Sequence, residues 1–268
     1  MKLATLALST LESFMHNRMI VVVLVLAVCI VMLMMFPLLN ASYRTNAENQ
    51  QAMASAVLEV ISNVMSFASG LGSLLAAWAA VDAVSSELKS GTVLAVMARP
   101  VKRWEFLLGK FLGVMLFMAC YVGMLISVSY LLAWLGGVKI QASPWVLLIY
   151  PLVRYSIYAA LAVLCATVVH PVVGMGAIFV VSLLTEVVMP GTATWYPKLA
   201  WLKTAIYYLL PSTNLLTEGR FLSLRQASVK QTTWIEHAIS LGYGLDCALI
   251  ILLLAMWVFH YRSLLRND

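Results

Sequence analysis

Long apolar runs separated by short polar stretches set the pattern of this chain. Six runs are long enough to cross about 30 Å of hydrocarbon as helices. They cover residues 19–39, 57–84, 111–135, 145–169, 172–189 and 238–261. The fifth is the shortest and abuts the fourth through His170-Pro171. That pair predicts a tight hairpin turn, because Pro171 can start a helix but not continue one. Ahead of the first run, residues 1–17 place Leu3, Leu6, Ala7, Leu11 and Phe14 at helical spacing. This predicts an amphipathic helix lying along the membrane surface. Residues 190–237 carry Leu199, Leu202, Ile206 and Leu209 at helical spacing, beside Trp195, Tyr196, Trp201, Tyr207 and Tyr208. Aromatics at that density belong at a membrane–water interface, so the stretch predicts a short interfacial helix ended by Pro211. Residues 85–105 form a polar, basic island between the second and third runs. The fold class is therefore all-α and polytopic: one transmembrane domain over residues 1–268, with six spans.

Composition agrees. The chain is 63% hydrophobic and 10% charged, against about 25% charged for a soluble domain. Such a surface cannot face water. The net charge of +6 does not indicate a nucleic-acid partner, because no basic stripe is interleaved with exposed aromatics. The distribution of Lys and Arg instead sets orientation. With the N-terminus inside, nine basic residues are cytoplasmic: Lys2, Arg18, Lys89, Arg99, Lys102, Arg103, Lys110, Arg262 and Arg266. Only Arg44 and Lys139 lie in short outer loops. Both termini are then cytoplasmic, in a multi-pass protein of a bacterial inner or plasma membrane. Residues 190–237 oppose the bias with five basic residues on the outside, but long loops obey the rule poorly. The first apolar run is too long for the core of a cleavable signal. Cys29, Cys120, Cys165 and Cys247 sit in apolar runs without CxxC spacing, which is the setting of small buried hydrophobes rather than metal ligands. No metal constellation can be drawn from the scattered histidines.

The island is where a membrane protein without a soluble domain can meet a cytoplasmic partner. Leu88, Val93, Leu94 and Met97 can line one face of a short helix; Gly91-Thr92 interrupts it and Pro100 stops it. Such a helix suits a groove on another protein. The same residues also suit a solvated loop whose basic residues only enforce topology, and the residues alone leave both readings open. Glu87, Gly91-Thr92, Arg99-Pro100, Arg103 and Leu108-Gly109-Lys110 resemble the pattern after the second span of ABC type-2 permeases, the six-span membrane subunits of one class of ATP-binding-cassette transporter. Tyr207-Tyr208-Leu209-Leu210-Pro211 and Val258-Phe259-His260-Tyr261-Arg262 are similar to late features of the branch that includes copper-enzyme maturation permeases. The resemblance implies that Glu87–Met97 is a coupling helix docking on a separate ATPase subunit, with contacts at Glu87, Leu88, Gly91, Thr92, Leu94, Met97, Arg99 and Arg103. It implies two ATPase subunits holding ATP and Mg, and a second permease copy or a homologue. It also favours export. The chain itself has no G-x-x-x-x-G-K-[ST] loop, since Gly109-Lys110 is followed by Phe111. It is expected to be no enzyme and to hold no cofactor.

Charges inside the runs are expensive and should face the bundle interior, a cavity or an interface. Arg154 and Glu186 each lie sixteen residues from His170, which puts them at one depth, about 24 Å from the turn at 1.5 Å rise per residue. Asp246 enters from the other end of its run to a similar level. An Arg154–Glu186 ion pair, shared with Asp246, is expected, as a packing device before a substrate contact. Two other functions compete. An ion-coupled carrier would use Arg154, Glu186 and Asp246. An intramembrane hydrolase would need Ser69 or Ser73 near His170, at poorly matched depths.

Overall fold

A computed structural model describes residues 2–42, 67, 69–87, 103–135, 144–187, 216 and 234–261. Seven helices fill these ranges, and no strand occurs among the described residues. They are α1 (Lys2–His16), α2 (Arg18–Ser42), α3 (69–87), α4 (Arg103–Leu135), α5 (Pro144–Val168), α6 (Pro171–Val187) and α7 (Trp234–Tyr261). Much of the expected second span, the tip of the 85–105 island and nearly all of the 190–237 segment lie outside the described residues. Among the described residues three stretches are each long and apolar enough to cross a membrane: Trp104–Leu131, Trp145–Val168 and His237–Tyr261. The α1–α2 pair, bent by 72°, passes the same test as one broken element, and α6 is a shorter apolar helix.

The boundaries differ from expectation at the island. Helix α3 continues to Glu87 and α4 already begins at Arg103, eight residues before the expected third span. Leu108-Gly109-Lys110 is therefore the second turn of a long helix. Nothing in that stretch stops a helix once Pro100 is passed, and Glu105 sits in the first turn, where a negative charge favours helix initiation.

Helix α5 is the centre of the bundle. Every residue from Val153 to Ala160 is buried, Arg154 and Ser156 among them. Helix α7 runs beside it in the same direction. Trp145 stacks on Trp234 at 5.7 Å, and Val153 faces Gly244. The buried side of α7 is a seam of Ser240, Gly244, Ala248, Leu252, Ala255 and Phe259, whose three- and four-residue steps follow one face of a helix. Helix α4 runs opposite to α7, since Phe106 near its start stacks on Phe259 near the end of α7, at 6.3 Å. The His170-Pro171 turn is where expected. Val169 N–H donates to the Cys165 carbonyl and Gly174 N–H to the His170 carbonyl. Gly174, Ile178 and Ser182 then form a buried stripe along α6.

Helix α1 packs along the first turns of α4. Leu6 meets Gly109, Thr10 meets Gly113, and Phe14 meets Phe117 at 5.4 Å. The offset between partners is constant, so α1 runs beside α4 for two turns instead of crossing it. Gly109 and Gly113 permit this. A Cβ on Gly113 would lie 2.6 Å from Thr10 Cβ and 2.9 Å from the Ala7 carbonyl oxygen, closer than any side chain tolerates. The pair is a small-xxx-small surface of the kind that lets helix backbones approach in membranes. Asn17 breaks the helix after α1. Its N–H donates to the Phe14 carbonyl, and its own carbonyl accepts from Ile20 and Val21 as α2 begins, the geometry of a residue just outside a helix start.

Candidate functional site

The two ends of the polar island are fastened together. Glu87 is the last described residue of α3, and its carboxylate Oε1 accepts from the Lys110 ammonium in the second turn of α4. Lys110 is only 6% exposed, and its ammonium lies 5.8 Å from the Phe106 ring centroid. A lysine near a membrane surface ordinarily extends its head group to water. This one turns inward, because the carboxylate supplies a counter-charge where a lone buried ammonium would be costly. Ser86, beside Glu87, donates to the Asp82 carbonyl and stays within its own helix. Of the expected contact residues, Leu88, Gly91, Thr92, Leu94, Met97 and Arg99 lie outside the described residues. Arg103 opens α4, with its side chain outside them. Glu87 alone has a described side chain, and it is engaged within the chain. The sequence held a signal for this pairing: opposite charges just inside the helices that flank one loop, at Glu87 and Lys110. Reading both as surface charges passed over it.

The second feature is Arg154, 3% exposed at the centre of the bundle. Its guanidinium Nη1 donates to Ser69 Oγ at 3.4 Å and sits 5.9 Å from the Tyr158 ring centroid. Helix α3 approaches closely here. A Cβ on Gly72 would fall 2.2 Å from the Tyr155 hydroxyl oxygen, so glycine lets the phenol lie against the α3 backbone. Tyr155 in turn packs on Tyr121 at 6.4 Å. Glu186 is within α6, with its side chain outside the described residues. Asp246 lies on the exposed side of α7, away from the seam that faces α5. Arg154 is thus joined to α3 by Ser69, a partner the charge pattern did not indicate. Ser73 donates to the Gly70 carbonyl, while His170 is exposed at the α5–α6 turn. The described contacts do not bring the two together as a nucleophile and base.

At the opposite end, Tyr150 and His237 share a hydrogen bond of 2.6 Å between the phenol oxygen and Nδ1. Trp145 and Trp234 flank the imidazole. Among the described residues no three His, Cys, Asp or Glu side chains converge on a metal-sized site.

A family model described as ABC-2 family transporter protein matches residues 4–264. The chain belongs to this family. No curated protein matches the chain. As an ABC-2 protein it is a permease subunit of an ABC transporter, a multi-pass membrane protein not itself catalytic, of a kind that usually works with an ATP-binding-cassette ATPase.

Proposed function

We propose that this permease couples ATP hydrolysis by a separate ATPase subunit to outward movement of a substrate, with residues 85–105 as the docking segment. The working unit is two permease chains, identical or homologous, with two ATPase subunits that hold ATP and Mg. Each permease has six spans, and both termini lie in the cytoplasm of a bacterial inner or plasma membrane. The observation that carries the reading is the Glu87–Lys110 pair. It joins the last described turn of α3 to the second turn of α4, so the segment between them hangs from a closed base. Force applied at 88–102 then displaces two helices together instead of flexing a loop. Basic residues concentrate at this end, at Lys89, Arg99, Lys102 and Arg103 and again at Arg262 and Arg266 beyond α7, in keeping with a cytoplasmic location. Leu88, Leu94 and Met97 supply the apolar ridge, while Gly91, Thr92, Arg99 and Arg103 shape and anchor it. Binding of ATP favours one of two arrangements of the spans through its differential affinity for them. Affinity purification from the native membrane tests the reading. The unaltered chain brings down an ATPase subunit, and Gly91→Pro, which alters the segment outside the described ranges of α3 and α4, loses it. Retention of the ATPase by Gly91→Pro counts against docking at this segment.

A further inference from the structure

We propose that Lys110 is a positioning residue that makes two turns of α4 the junction through which ATPase movement reaches both α1 and α7. The proposal rests on the docking reading above and assigns the route beyond it. Three elements meet within residues 106–113. On one side, Gly109 and Gly113 seat Leu6 and Thr10 of α1 at near-backbone distance. On another, Phe106 stacks on Phe259 of α7. Between them Lys110 holds Glu87, the last described residue of α3, at the start of the docking segment. Phe106 serves two partners at once, since it lies under the Lys110 ammonium and against Phe259. These are close, directional contacts, so the four helix ends shift as one unit or not at all.

This assignment changes the expected role of Glu87. Its carboxylate is bonded to Lys110, which makes it a strut inside the permease and not a contact to the ATPase. The two roles predict different mutant behaviour. If Glu87 and Lys110 act as one pair, neutralising either gives the same phenotype and neutralising both is no worse than either alone.

The experiment uses the permease–ATPase complex reconstituted in nanodiscs, with the four native cysteines replaced by serine. Spin labels at Ser13→Cys on α1 and Tyr261→Cys on α7 report their separation with and without ATP–vanadate. Both positions are exposed, so the labels leave the junction intact. The expected result is that Lys110→Gln and Glu87→Gln still co-purify the ATPase but lose the nucleotide-dependent change in distance. Lys110→Arg, which keeps the charge, retains it. The double Glu87→Gln/Lys110→Gln variant relieves any defect caused by leaving the ammonium buried alone, so folding and coupling are separated. Loss of ATPase binding in Glu87→Gln but not Lys110→Gln would overturn the proposal by making Glu87 a direct contact. So would an unchanged distance response in all neutral variants. Absence of any ATPase with the unaltered chain overturns the docking reading and this proposal with it, whereas bound ATPase with an indifferent response overturns this proposal alone.

Discussion

Gly113→Ala gives a quantitative test of the α1–α4 contact, because α4 contains its own control. A methyl at Gly113 meets Thr10 Cβ at 2.6 Å, the Ala7 carbonyl oxygen at 2.9 Å and Thr10 Cγ2 at 3.0 Å. Two of these atoms are held by the α1 backbone, so no rotamer change relieves them and α1 must move away. Overpacking of this kind costs about 1–3 kcal/mol. Alanine also gains about 0.5–1 kcal/mol over glycine in a helix interior, which offsets part of the cost. Gly123 lies further along the same helix with nothing within 4 Å of its added methyl, so Gly123→Ala collects the helix gain without the clash. The difference between the two variants isolates the contact and should be about 1–3 kcal/mol, with Gly123→Ala the more stable. Thermal unfolding in one detergent, followed by fluorescence-detected size exclusion, measures it. Equal midpoints for the two variants refute the close approach of α1. A control at Thr10 sharpens the reading: Thr10→Ala removes only the 3.0 Å contact at Cγ2 and keeps Cβ at 2.6 Å, so most of the effect of Gly113→Ala should persist in that background.

Other outcomes follow from the remaining contacts. Tyr150→Phe removes a hydrogen bond to His237 and should lower stability by about 0.5–1.5 kcal/mol; His237→Ala in that background should add less than it does alone, as a double-mutant cycle by thermal unfolding will show. Arg154→Ala should reduce the amount of folded protein in the membrane more than Arg154→Ala combined with Glu186→Ala, and equal damage from the two argues against their pairing.

The hydrophobic pattern made the helices legible because span length and the cost of unpaired backbone groups in lipid are set by local sequence. The α5–α6 turn was legible for a similar reason, since Pro171 restricts its own backbone and needs no partner. The association of α1 was not. Leu6, Ala7 and Phe14 read as an apolar stripe, and such a stripe buries equally well in lipid head groups or on another helix. Gly109 and Gly113 decide between these, yet in the sequence Gly109 reads as part of a motif at the end of the polar island and Gly113 lies unmarked inside the third apolar run. The ion pair was hidden by a related effect. Lys110 was counted as a charge that reports topology, and a count of loop charges carries no information on whether a side chain turns toward water or toward Glu87.

Depth and direction separate in the same way for the intramembrane charges. Helices α5 and α7 run together, and Val153 faces Gly244, so Arg154 and Asp246 lie at nearly one level, as the spacing in sequence implied. The aromatics fix that level. His237 sits among Trp145, Tyr150 and Trp234 at one end of α7, and Trp257 packs on Tyr261 near the other. Between His237 and Trp257 the helix rises about 30 Å at 1.5 Å per residue, the thickness of the hydrocarbon core. Asp246 falls close to the middle of that interval. Depth is additive along a helix, so it can be computed from residue numbers. Direction depends on which side of each helix finds a neighbour. Arg154 turns inward to Ser69, while Asp246 emerges among Leu245, Leu249 and Ile250 on the exposed side of α7. A shared level therefore does not make a shared cluster. A carboxylate at that depth against acyl chains would cost about 2.5–3.5 kcal/mol, so this side of α7 is the costlier of the two to leave in lipid.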